Sequence, residues 1–270
     1  MKKTLYFVLI LVLVAGVSMF GAWSPSPAEE TETIYTDAQL VATLASETVS
    51  YKSRTVTSST TLGGAPTYVA VSGLSNACGA VAGAEIVGLY DRYYSKLIPD
   101  WASYNTSTGK YSPQDATYVP ELMRELYNLM QINVNAAGVT ESGFKTGLQQ
   151  YITNHGYSTY YQSAYDGDTL NYFLCQSAVD VNRPIVLFTR AGNVYTISTN
   201  GTKDTISTYN ITANHIMVAY GYMQIEYYNI FGLFRTDTYL EVATGLFNPA
   251  IAYYKINSTN LDAAYVVNVL

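Results

Sequence analysis

The chain has 270 residues, only 13% of them charged, with a formal net charge of -6 and a sequence pI near 4.9. An acidic chain without a basic stripe lacks the clustered Lys and Arg that displace counterions from a phosphate backbone, which excludes nucleic acid as the expected partner. Its 27 tyrosines describe a surface and core built from rings and hydroxyls, compatible with peptide or glycan contact.

Lys2 and Lys3 precede a charge-free apolar stretch from Leu5 to Phe20, with the length and flanks of a secretory signal rather than of a spanning helix. Ser26-Pro27-Ala28 ahead of Glu29 marks a cleavage point, so 1–28 reads as a signal peptide, with an uncleaved anchor as the alternative. No second segment approaches spanning length. The mature chain of roughly 240 residues, long enough for one substantial core or two small lobes, is therefore expected outside the membrane, secreted. Residues 29–65 read as an N-terminal extension or linker, either a prosegment or an embellishment. They include a short helical pattern at Leu40, Val41 and Leu44 behind a cap at Thr36 or Asp37. The Ser- and Thr-rich run 50–61 then reads as an exposed linker or edge strand.

At Ser75-Asn76-Ala77-Cys78-Gly79 a turn-like segment gives way to a helix of small and apolar residues, expected to run to about Tyr94. A thiol at a helix N-terminus feels the positive end of the macrodipole, which favours the nucleophilic thiolate. Residues 99–113 look irregular, with turn chemistry at 105–109. Helical patterns follow at 119–130 and 140–154, the second stopping at His155-Gly156. A further helical pattern over 168–179 carries Cys175 as a core filler. Two cysteines in a secreted chain would ordinarily pair, but these placements predict two free thiols.

From Arg183 to Phe188 onward the periodicity becomes that of strands: 192–198, 204–211, 215–228, 233–244, 250–256 and 263–269. Helices early and strands late signal an α+β architecture rather than alternating α/β units. His215 opens the β-branched and aromatic run Asn214-His215-Ile216-Met217-Val218-Ala219-Tyr220-Gly221-Tyr222. No His-Glu-x-x-His, paired Cys-x-x-Cys or Gly-rich phosphate loop occurs, and Asp166 and Asp168 flank Gly167 without the later acidic ligands of a calcium loop. No metal or other cofactor is expected. His155 is assigned no chemistry.

The Asn-Ala-Cys-Gly segment, the helix after it, the His215 strand and the later Tyr239-Leu240-Glu241-Val242-Ala243-Thr244-Gly245 strand together resemble the C39-like, papain-superfamily cysteine peptidases of bacteria, over residues 66–270. The resemblance implies a papain-like fold with an N-terminal helical lobe and a C-terminal antiparallel β lobe. It implies Cys78 as nucleophile and His215 as general base and later acid. Where the family orients its histidine with Asn or Asp, this chain offers Ala243 and Thr244, with Asn248 close behind. Thr244 is the candidate orienter. Where the family has a Gln six positions before the nucleophile to complete the oxyanion hole, this chain has Ser72. Asn76 is a second candidate donor, although Asn just before a helix is also a preferred N-cap.

Three readings follow. The first is a secreted thiol hydrolase cleaving peptide or amide bonds, with a peptide or protein substrate. The second is a catalytically weak or inactive papain-like module that binds peptides or sits at the cell surface. The third is a tyrosine-rich structural surface protein, favoured if the N-terminal anchor is retained.

Overall fold

Ile185-Val186-Leu187-Phe188 and the first half of the His215 strand are apolar without alternation, the pattern of strands covered on both faces. The computed structural model describes residues 32–60, 65–167 and 169–270 and buries both runs in this way. The signal segment assigned to 1–28 lies outside the described residues.

The described chain runs through β1 (Ile34–Tyr35), β2 (Leu40–Ser50), β3 (Ser53–Thr60), α1 (Cys78–Asp91), β4 (Tyr104–Asn105), β5 (Lys110–Tyr111), α2 (Val119–Leu129), β6 (Val139–Thr140) and α3 (Glu141–Asn154). It continues through β7 (Thr159–Ser163), α4 (Tyr172–Asp180), β8 (Ile185–Thr189), β9 (Gly192–Asn200), β10 (Lys203–Ile211), β11 (His215–Asn229), β12 (Gly232–Ala243), β13 (Ile251–Lys255) and β14 (Leu261–Val269). This mixture of helices with one large antiparallel sheet is α+β, as the sequence predicts. The ten-stranded sheet runs β2-β10-β9-β13-β12-β11-β8-β14-β7. The long β11 pairs with β8 over 215–219 and with β3 over 221–228, so β3 takes up the edge that β8 leaves.

Alternation along β8 and β11 splits their side chains between two cores. Val186, Phe188, Ile216, Val218 and Tyr220 join a cluster with α1, α2 and α3. Ile185, Leu187, Met217 and Ala219 join another with Cys175, Ala178 and Val179 of α4. Every residue of α1 is buried, which its composition of Ala, Gly and Val permits. The approach between helices is close: a Cβ on Gly147 of α3 would sit 2.6 Å from the main-chain nitrogen of Met130.

Two expectations for the N-terminal segment need correction. The residues around Leu40, Val41 and Leu44 are not helical. They lie in β2, which pairs with β10 along most of its length. Leu40 and Leu44 suit a two-residue period as well as a helical one, and the β-branched Val41, Thr43, Thr48 and Val49 suit a strand, so sheet pairing decides. Strands are accordingly not confined to the second half of the chain. Within the run read as an exposed linker or edge strand, residues 53–60 form β3, an edge strand paired with β11. The loop at 99–113 holds the small β4–β5 pair, its turn fixed by Asn105 Oδ1, which accepts from the amides of Ser107 and Thr108. The helices fall close to their predicted spans, with the Thr140 side chain capping α3 and Asn171 capping α4. Among the described residues no helix is long and apolar enough to cross a membrane.

Candidate active site

α1 packs across the start of β11, and this brings Cys78, the first residue of the helix, and His215, the first residue of the strand, to one crevice of about 230 Å³. The pair is 137 residues apart in sequence (215 minus 78). Asp37, Ala38, Val69, Ala70, Val81 and the loop Gly245-Leu246-Phe247 complete its walls. Both side chains are deeply set: Cys78 is 3% exposed and His215 1%. Cys78 and Cys175 are both free thiols, as expected, and Cys175 fills the α4 core.

The histidine ring is oriented by main chain. His215 Nε2 lies 2.7 Å from the carbonyl oxygen of Thr244. Burial lowers the pKa of His215, against the opposing pull of the Thr244 and Thr36 main chain and the Asp37 charge, so the ring rests neutral. In a neutral ring whose Nε2–H donates to Thr244, the lone pair is on Nδ1. That atom is buried and has no hydrogen-bond partner. Its protonated form is favoured by the main chain of Thr36 as well as by that of Thr244. Gly245 lets the next turn pass close beneath: its φ is +67°, and a Cβ there would lie 3.8 Å from His215 Nε2 and 3.3 Å from Val81 Cγ1.

Thr244 therefore serves the ring, but through its carbonyl. Its Oγ1 is occupied, donating toward the carbonyls of Leu246, Pro249 and Ala250 and accepting from the amide of Leu246. Asn248 is exposed in the loop beyond.

The thiol rests protonated, contrary to the reading from the helix dipole alone. Burial pushes the Cys78 thiol up to about 12. Hydrogen bonds from the main chain of Ile216, Gly79 and Cys78 favour the thiolate, while the nearby Asp37 charge opposes it. Desolvation of a charge outweighs this cradle and the dipole together.

Neither oxyanion candidate is aimed at the sulfur. Ser72 is exposed in a turn ahead of Gly73, whose φ is +89°, and does not line the crevice. Asn76 is neither N-cap nor donor to the crevice: it adopts φ +54° and its Nδ2 donates to Asn133 Oδ1 at 2.8 Å. The cap position is Ala77, which has no capping side chain of its own. Asp37, across the chain, does that work. Its carboxylate accepts from the amides of Asn76 at 2.5 Å and Ala77 at 2.7 Å. The sequence pattern marked Asp37 only as a cap for a helix at 40–44; the helix it caps begins 41 residues later (78 minus 37).

His155 is half-buried, stacked on Tyr151 with Nδ1 2.8 Å from the Tyr151 carbonyl, and is remote from this crevice. Among the described residues no cluster of His, Cys, Asp and Glu is arranged to hold a metal ion. The chain matches no protein-family model, no curated protein and no solved structure.

Proposed function

We propose that the protein is a secreted thiol hydrolase of the papain-like, C39-like type, cleaving peptide or amide bonds. The observation that carries this reading is that Cys78 and His215 line one crevice, with the ring oriented through Nε2 and its buried Nδ1 without a hydrogen-bond partner. Because both groups rest neutral, the reaction begins by general-base catalysis rather than from a preformed ion pair. Sγ attacks the carbonyl carbon while its proton passes to Nδ1. The imidazolium, held by the Thr244 carbonyl, then protonates the departing amine as the C–N bond breaks and a thioester forms. Water attacks the thioester with His215 again taking the proton, which releases the acid and restores the thiol. The main-chain amides of Cys78 and Gly79 at the start of α1 are the donors available to a developing oxyanion, in place of a Gln side chain.

A second reading, a peptide-binding module without efficient turnover, draws on the depth of the pair and on the lack of a side-chain oxyanion donor at Ser72. Turnover of a peptide mixture by the secreted protein separates the two. The hydrolase reading expects cleavage that is abolished by Cys78→Ala and falls at least about 100-fold in His215→Ala. Cleavage unchanged in Cys78→Ala, or none by the wild type under any condition that labels Cys78, refutes it.

A further inference from the structure

The segment 34–39 runs along the crevice, to which Asp37 and Ala38 contribute wall, and is tied down on both of its sides. On the β11 side, the Thr36 amide donates to the Asn214 carbonyl at 3.0 Å and Asn214 Nδ2 donates to the Ile34 carbonyl at 3.1 Å. The Gln39 amide donates to Thr212 Oγ1 at 2.9 Å, and the Thr212 amide donates back to the Gln39 carbonyl at 3.1 Å. On the α1 side, the Asp37 carboxylate holds the amides of Asn76 and Ala77. These partners are the main chain just before His215 and just before Cys78, so one short strap bridges the approaches to both reactive residues. Asp37 and Ala38 form part of the crevice wall, and Ala38 is buried.

An extended substrate must lie with its carbonyl against Sγ, in a crevice where the nucleophile is 3% exposed. The main-chain groups beside His215 that could pair with such a chain are already engaged by the strap. We propose that the strap 34–39 is a built-in latch, closed in the resting protein, which must lift from Asn214 and from the start of α1 before a peptide can reach Cys78. This rests on the hydrolase reading of the site.

The strap is fixed at both ends. Toward the N-terminus it is held by the two residue pairs of β1 with β6 and by Tyr35, which is buried in the core, packs edge-on against Phe188 and donates its hydroxyl to Asp262 Oδ2 at 3.1 Å. Toward the C-terminus it continues into β2, paired with β10 at eight positions. The part that lifts is the middle, Thr36 to Gln39, between these two anchors. The exposed Asp37 is the central tie. Lifting it also removes a negative charge from the helix N-terminus, where it opposes thiolate formation. One motion thus opens the crevice and favours the nucleophile.

The test is iodoacetamide labelling of the full chain at neutral pH, read by mass spectrometry, in wild type and Asp37→Ala. Cys175, fully buried in the other core, is the internal reference. The latch predicts that Asp37→Ala labels Cys78 at least about tenfold faster with Cys175 still protected. An unchanged Cys78 rate in a variant with Cys175 protected overturns it. Where Cys175 also becomes reactive the variant has lost its fold, and amide exchange of the wild type decides. The Thr36, Asn76 and Ala77 amides opening together below the global unfolding free energy support the latch, and opening only with global unfolding overturns it. Faster labelling without peptide turnover in any variant leaves the latch standing and removes the hydrolase. Wild-type turnover with no effect of Asp37→Ala on labelling does the reverse.

Discussion

Glu85 lies on α1 two turns beyond Cys78 and is 1% exposed. Its Oε1 accepts from the Tyr68 amide at 3.0 Å, while Oε2 has no partner. Burial raises its pKa well above the ordinary carboxyl value, and the single hydrogen bond from Tyr68 only partly opposes this. The folded protein therefore holds a neutral carboxylic acid at pH values where the unfolded chain has already lost the proton. The unfolded state then binds fewer protons than the folded state, so stability falls as pH rises above the unfolded carboxyl value, until the folded group itself titrates. The slope from one such group is about 1.4 kcal/mol per pH unit. Glu85→Gln keeps the acceptor for Tyr68 and offers its amide to the neighbouring Tyr220 hydroxyl, which has no partner in the wild type. Urea melts at pH 5.5 and 7.5 should show the wild type losing stability relative to Glu85→Gln as the pH rises, with that slope as the upper limit. Asp91, another buried carboxyl raised chiefly by burial, is present in both proteins and cancels in the difference. Parallel stability profiles for the two proteins would refute a neutral, buried Glu85.

Two further predictions probe the scaffold. Asp204 is fully buried and accepts from Tyr227 at 3.0 Å, from Tyr51 at 3.2 Å and from Arg54. Asp204→Ala should cost about 3 kcal/mol in chemical denaturation, the low end for a broken buried pair because Arg54 keeps some contact with water. A loss below about 1 kcal/mol would mean the network is not formed. Gly147→Ala should lower stability by about 2 kcal/mol despite the better helix propensity of Ala, because the added methyl meets the main chain at Met130 rather than a yielding side chain. Unchanged or raised stability in the same melts would show that α3 does not pack that closely.

What the sequence made legible follows from where the determining forces are local. The helix over 140–154 with its stop at Gly156 and the apolar strand at His215 are written in neighbouring residues, and each is found, whereas the helix expected over 168–179 begins only at Tyr172, capped by Asn171. That Cys78 and His215 each open an element was legible, because both patterns are strong; that they share one crevice is a product of the tertiary fold. The roles of Asp37 and the Thr244 carbonyl were not, because both act through contacts made only in the folded chain: Asp37 caps a helix it does not precede, and a carbonyl leaves no mark in residue identity. Strand β2 was misread for a related reason. Its register is set by β10, more than 150 positions away, as Val49 opposite Asp204 illustrates. The resting state of the thiol was likewise hidden, since a helix start predicts a lowered pKa and only burial reverses it.

The central claim is that Nδ1 of His215 takes the proton of Cys78 as sulfur attacks. Acid-quenched intact mass after mixing with a peptide aryl ester reads this directly, as the rate of a stoichiometric acyl adduct mapped to Cys78. The account predicts a single-site burst in the wild type that is absent in Cys78→Ala and slowed at least about 100-fold in His215→Ala. An adduct forming on Cys78 equally fast without the imidazole would contradict it.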